Sequence, residues 1–123
     1  MLVVDDEPDA LDLIKAILER KGASVTAVPT ADAAWGALEG EWPDLLLCDI
    51  GMPGEDGYQL IRRLRSLESA RGLTTPAVAL TAYAGEADRA HALEAGFQLH
   101  VAKPIDPTGL VSIIATLVEE RQK

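Results

Sequence analysis

Two apolar runs in this sequence stop abruptly on carboxylates: Leu2-Val3-Val4 on Asp5-Asp6, and Leu45-Leu46-Leu47-Cys48 on Asp49. Two later runs end on other chemistry, a hydroxyl at Thr81 and an amine at Lys103. Three carboxylates brought together repel one another, and without a counter-charge at least one has a raised pKa. A hard divalent cation removes that penalty. A few carboxylates with water and a backbone carbonyl suit Mg²⁺, with Mn²⁺ as the alternative. Lys103 supplies a second positive charge and Thr81 a hydroxyl donor. Together these groups suit a phosphoryl group, whose transfer depends on positioning and charge neutralisation. An aspartate can itself be the nucleophile and form an aspartyl-phosphate.

The elements that must assemble these groups alternate between strand and helix. Leu2 to Val4 is a strand, followed by a helix opened by Glu7-Pro8-Asp9, carrying Leu11, Ile14, Ile17 and Leu18 at helical spacing and closed by Gly22. Residues 23–28 read as a second strand, and Thr30 caps a helix ending near Gly40. Residues 44–49 form a third strand, apolar throughout its interior and therefore central in a parallel sheet. Asp56 caps a helix from about Tyr58 to Leu67, with Leu60, Ile61, Leu64 and Leu67 on one face. Residues 76–80 are a fourth strand, and the helix over Glu86 to Ala95 stops at Gly96. Residues 99–102 are a fifth strand, and Asp106-Pro107 opens a last helix with Leu110, Ile113, Ile114, Leu117 and Val118. The pattern predicts a single (βα)₅ domain, a parallel sheet with helices on both faces. In open sheets of this class ligands bind beyond the carboxyl ends of the strands. Asp5-Asp6, Asp49, Thr81 and Lys103 all stand at such ends, whereas the second strand ends in Val28-Pro29-Thr30 with nothing ionisable. The carboxylates belong to one site.

Bulk properties narrow the function further. The 123 residues are 48% hydrophobic and 25% charged, ordinary for a globular domain with a real core. The net charge of −9, from 20 acidic and 11 basic residues, repels phosphates and anionic lipid and argues against direct nucleic-acid or membrane binding. No apolar run approaches the length of a membrane span, and no signal peptide opens the chain. Cys48 is the only cysteine, which forbids an internal disulfide and fits a cytoplasmic protein.

The order and spacing of "VVDDE", "DIGMPGEDGY", "ALTA" and "AKP" resemble the receiver domain of two-component response regulators over the whole chain. Each piece alone is weak; their joint order is specific. The resemblance implies a flavodoxin-like fold with strand order 2-1-3-4-5. It implies a phosphoacceptor at Asp49 and a metal-binding acidic pair at Asp5 and Asp6, with Asp6 favoured as the direct ligand. The metal-coordinating backbone carbonyl falls on Gly51, the switch hydroxyl on Thr81 and the phosphate-binding lysine on Lys103, whose bond to Pro104 is often cis in the family. Tyr83 and Gly51 fall where the family borders the phosphorylation site, positions expected to govern how water reaches the acyl phosphate. One residue departs from the pattern: His100 stands where receivers usually carry the Tyr or Phe that swings inward with the threonine. The switch is then altered, or run by an imidazole whose charge depends on pH. Residues 76–118 are similar to receivers attached to hybrid histidine kinases. Because Met1 starts inside the first strand and no output domain follows, the expectation is an excised receiver.

The implied partners are a histidine kinase or histidine phosphotransfer domain, and a downstream protein on the face of the fourth helix, fifth strand and fifth helix. The implied role is a signalling switch that assists its own phosphorylation rather than an enzyme. The alternative is a non-phosphorylated pseudo-receiver, but such modules usually lack a member of the acidic pair, the nucleophile or the lysine. An aspartyl phosphatase typically has a second acid two residues after the nucleophile, where this chain has Gly51. A flavin site would need a Ser/Thr/Gly-rich phosphate loop after the first strand. Other residues invite plainer readings. Cys48 is expected as a buried core thiol, His91 on an exposed helix side, Trp35 and Trp42 as packing or surface residues, Met52-Pro53 as loop-shaping, and Arg62, Arg63 and Arg65 as a solvated basic stripe.

Overall fold

Short strands that are apolar on both faces need cover on both faces, and helices supply it here. In chain order the elements are β1 (Leu2–Val4), α1 (Pro8–Arg20), β2 (Thr26–Val28), α2 (Ala31–Gly40), β3 (Leu46–Asp49), α3 (Gly57–Arg71), β4 (Ala77–Thr81), α4 (Glu86–Ala95), β5 (Leu99–Ala102) and α5 (Pro107–Gln122). This computed structural model describes residues 1–50, 57–71, 74–81, 85–103 and 105–122. Asp56, the expected cap of α3, and Met52-Pro53 lie outside the described residues.

The five strands form one parallel sheet in the order β2-β1-β3-β4-β5, the expected topology. Alternation along each strand divides the core in two. Leu2, Val4, Leu46, Cys48, Ala77 and Ala79 face a cluster completed by α2, α3, α4 and Phe97. Val3, Leu47, Val78 and Leu80 face the other, completed by Ile14 and Leu18 of α1 and Leu110, Ile114 and Leu117 of α5. Burying each large aliphatic side chain stabilises the fold by about 1.5–3 kcal/mol before entropy is counted. β1, β3 and β4 are buried at every position while β2 is half exposed, as its place at the sheet edge requires.

Local signals set the helix ends. Pro8 opens α1, the Thr30 hydroxyl accepts from the Ala33 amide, and α4 ends at Gly96, whose φ of 129° suits glycine. β2 and β3 start later than the sequence predicts, at Thr26 and Leu46, where their register with Leu2 of β1 begins. α3 continues past Leu67 to Arg71.

The structure corrects two readings of α3. Leu67, expected on the apolar face, is 44% exposed, while Glu68 is 3% exposed. Position 68 continues the inward stripe of Leu60, Ile61 and Leu64, and the Glu68 carboxylate accepts from the Thr75 amide. Arg65 is not part of a solvated stripe. It pairs with Glu68 at 2.6 Å, and its guanidinium donates to the carbonyls of Gly96 (2.9 Å) and Thr75 (2.7 Å) and to Gln98 Oε1 (2.9 Å). Gln98 Oε1 also accepts from the Ala77 amide, so one arginine ties α3 to the starts of β4 and β5. Arg63 lies 4.2 Å over the Trp35 ring, and Trp42 Nε1 donates to Thr75 Oγ1 at 2.8 Å. His91, exposed as expected, stacks on Tyr58 with ring centroids 3.8 Å apart.

Candidate functional site: an acidic cluster closed by one lysine

Each chemistry-bearing residue is held at the carboxyl edge of the sheet by a backbone bond to the neighbouring strand. The Asp5 amide donates to the Val28 carbonyl at 3.2 Å, the Ile50 amide after Asp49 donates to Leu80 at 3.0 Å, and the Lys103 amide donates to Thr81 at 2.7 Å. Period-two alternation then sorts the side chains. Asp5, Asp49 and Lys103 share the parity of Val3, Leu47 and Val101, on the face covered by α1 and α5. Thr81 and His100 share the parity of Ala79, the register partner of His100, on the face covered by α2, α3 and α4. Thr81 is buried and His100 half-buried.

The start of α3 presses on the end of β3. A Cβ built on Gly57 would lie 2.7 Å from the Asp49 carbonyl oxygen and from Ile50 Cα, so only glycine fits here without displacement.

Lys103 Nζ is the centre of the site. It lies 2.8 Å from Asp5 Oδ2, 3.1 Å from Glu7 Oε1 and 3.3 Å from Asp49 Oδ2. The Asp5 side chain is fully buried, Asp49 nearly so, and Glu7 is 64% exposed. The Glu7 amide donates to Asp5 Oδ1 at 2.9 Å, orienting that carboxylate. Asp5, Asp6, Glu7 and Asp49 each offer an oxygen within 4.8 Å of the others.

Among the described residues, four carboxylates against one ammonium leave the cluster strongly anionic. Burial pushes the Asp5 carboxyl above the ordinary carboxylate range. Lys103 and the Glu7 amide pull it down, and the Asp49 charge adds to the rise. Asp6 is also raised, by burial first, then by its hydrogen bond to Asp49 and by the Asp49 and Asp5 charges. Burial works against the Lys103 ammonium, yet its pairing with Asp5, Glu7 and Asp49 prevails and holds its pKa above lysine's ordinary value. An all-oxygen donor set with this excess of negative charge fits a hard divalent cation, which would relieve the repulsion that raises Asp5 and Asp6.

The structure therefore brings together Asp5, Asp6, Asp49 and Lys103. Gly51, Tyr83 and Pro104 lie outside the described residues. Glu7, expected only at the opening of a helix, enters the cluster as a fourth acid. Its signal was present in the unbroken Asp-Asp-Glu run, but nothing in that run says that its third member turns toward Lys103. No helix among the described residues is long and apolar enough to cross a membrane.

Known proteins of the same build carry different names. Over 114 residues the chain is 49% identical to an uncharacterised 14.6 kDa protein of Leptolyngbya boryana, covering 93% of this chain and 86% of that one. Over 123 residues it is 37% identical to response regulator Rre1 of Synechocystis, covering 99% of this chain and 52% of that protein. Its relatives also include sensor and hybrid signal transduction histidine kinases. The crystal structure of a CheY-like response regulator receiver domain protein from Methanospirillum hungatei superposes with a TM-score of 0.87 at 30% identity, covering 98% of this chain and 94% of that one. Residues 1–115 match the response regulator receiver domain, and with this fold and these relatives the chain belongs to that family.

Proposed function

We propose that this chain is the phosphoacceptor of a two-component or phosphorelay system and that residues 1–123 form one receiver domain. Asp49 takes the phosphoryl group from the phosphohistidine of a histidine kinase or histidine phosphotransfer domain. The observation that carries this reading is the position of Asp49 Oδ2, 3.3 Å from Lys103 Nζ inside a four-carboxylate cluster at the carboxyl edge of the sheet. A pseudo-receiver would have no use for acid pair, nucleophile and lysine held together.

Asp5, Asp6 and Asp49, with the carbonyl of Gly51, would hold Mg²⁺ or Mn²⁺. Such a cation, when bound, supplies positive charge to the transferring phosphoryl oxygens and cancels the repulsion between acceptor and donor. Asp49 is the nucleophile: its Oδ–P bond forms as the P–N bond of the donor breaks. The electron pair stays on the imidazole nitrogen, which takes up a proton. Lys103 neutralises the charge that the phosphoryl oxygens bring. Thr81 and His100, on the opposite side of the sheet from Lys103, carry the change toward the α4–β5–α5 face. That face shifts between pre-existing states and is read by a downstream protein. The protein is a switch that assists its own phosphorylation and dephosphorylation.

Intact mass after incubation with a small acyl phosphate and Mg²⁺ tests this reading. One phosphoryl adduct is expected for the wild type with metal, and none for Asp49→Asn or for the chelated wild type. An adduct that persists in Asp49→Asn, or that forms equally without metal, would overturn it.

A further inference from the structure

The ammonium of Lys103 has three hydrogens, and among the described residues three carboxylate oxygens lie within reach of it, from Asp5, Glu7 and Asp49. Resting on the reading that Asp49 accepts a phosphoryl group, we infer that Glu7 is a positioning residue that competes with the phosphoryl group for Lys103. Lys103 donates to Glu7 and Asp49 and pairs by charge with Asp5, so a phosphoryl oxygen that takes up this ammonium competes with carboxylates already beside it and weakens one of those pairings. The three partners differ in what release costs. Asp5 is fully buried, and losing its cation would strand a charge away from water. Asp49 is the acceptor itself and is nearly buried. Glu7, at 64% exposure, passes into solvent and is rehydrated at once.

Glu7 therefore acts twice, through different atoms. Its backbone amide holds Asp5 Oδ1 in place, which any side chain at this position can do. Its carboxylate holds a negative charge against Lys103 where a phosphoryl oxygen must bind, and a neutral side chain there competes far more weakly. The consequence is a built-in bias toward the unphosphorylated state, set by one exposed charge outside the acidic pair.

Titration with beryllofluoride at saturating Mg²⁺, followed by calorimetry, tests this in wild type, Glu7→Gln and Glu7→Asp. Glu7→Gln is expected to bind about two- to five-fold more tightly than wild type, the worth of one exposed ion pair. The gain should shrink as ionic strength rises, since the competing contact is screened. Glu7→Asp, which keeps the charge, should return the affinity toward the wild-type value, a pattern that loss of a structural contact would not produce. Unchanged or weaker binding by Glu7→Gln, while the wild type binds normally, would overturn the inference. Failure of the wild type itself to bind would instead count against the phosphoacceptor reading.

Discussion

The contact between the start of α3 and the end of β3 makes one substitution type take opposite signs at two places. Alanine for glycine within a helix normally stabilises by about 0.5–1 kcal/mol, because the unfolded chain loses freedom and the helix gains propensity. Gly36, inside α2, has nothing within 4 Å of the added Cβ and should show that gain. At Gly57 the Cβ would sit 2.7 Å from the Asp49 carbonyl oxygen, 2.7 Å from Ile50 Cα and 2.9 Å from Ile50 Cγ2, where ordinary contact begins at 3.4 Å. Two of those three atoms are backbone in a buried strand end and cannot swing aside. Overpacking by a methyl group costs about 1–3 kcal/mol, which exceeds the propensity gain. Gly57→Ala should therefore be destabilised by about 0.5–2 kcal/mol and Gly36→Ala stabilised by about 0.5–1 kcal/mol. Urea unfolding with a slope of about 1–2 kcal/mol per molar would read these as midpoint shifts of opposite direction, each on the order of 0.5–1 M. Because the displaced group is the main chain of Asp49, phosphoryl uptake should also slow in Gly57→Ala and stay unchanged in Gly36→Ala. A Gly57→Ala midpoint that rises as much as that of Gly36→Ala would show that α3 does not press on the site.

Two further outcomes follow from buried charge. Arg65→Leu leaves the Glu68 carboxylate buried without its guanidinium and should lose about 3 kcal/mol in urea unfolding. Combining it with Glu68→Gln should recover part of that loss, so a double-mutant cycle without coupling would refute the pairing. The acidic cluster gives the metal-free protein an unusual pH dependence. Asp5 and Asp6 are raised above 3.8 in the folded state, so between that value and their raised values the native protein binds more protons than the unfolded chain. Their contribution to stability is greatest below 3.8 and falls as pH rises through that window. Lys103, raised above 10.5, contributes stability that is full below 10.5 and lost as pH climbs through its folded value. Unfolding midpoints measured across pH with chelator should show the acidic decline, reduced in Asp6→Asn; an identical profile in that variant would refute the assignment.

The elements were legible because the core is simple. Apolar runs buried on both faces alternate with helices whose stripes follow the expected period, and the strand order agrees with the resemblance. Asp5, Asp49, Thr81 and Lys103 were legible as a set because each interrupts or ends an apolar run, where a core would not place a polar group without use. α3 is less legible in the sequence. Period alone allowed either position 67 or 68 to continue its buried stripe, and the apolar residue was the natural choice. The buried residue is Glu68, because the Thr75 amide and Arg65 come from segments that only folding brings to it.

Local chemistry thus determined where the strands end and which groups stand there, since hydrophobic period and capping depend on near neighbours in the chain. The contacts that decide behaviour were set by tertiary structure: Glu7 on Lys103 across 96 positions, Arg65 on Gln98 across 33, and Gly57 against the Asp49 carbonyl. A side chain's partner depends on the direction in which the assembled sheet points it and on which segments arrive there, and neither is a property of its sequence neighbours.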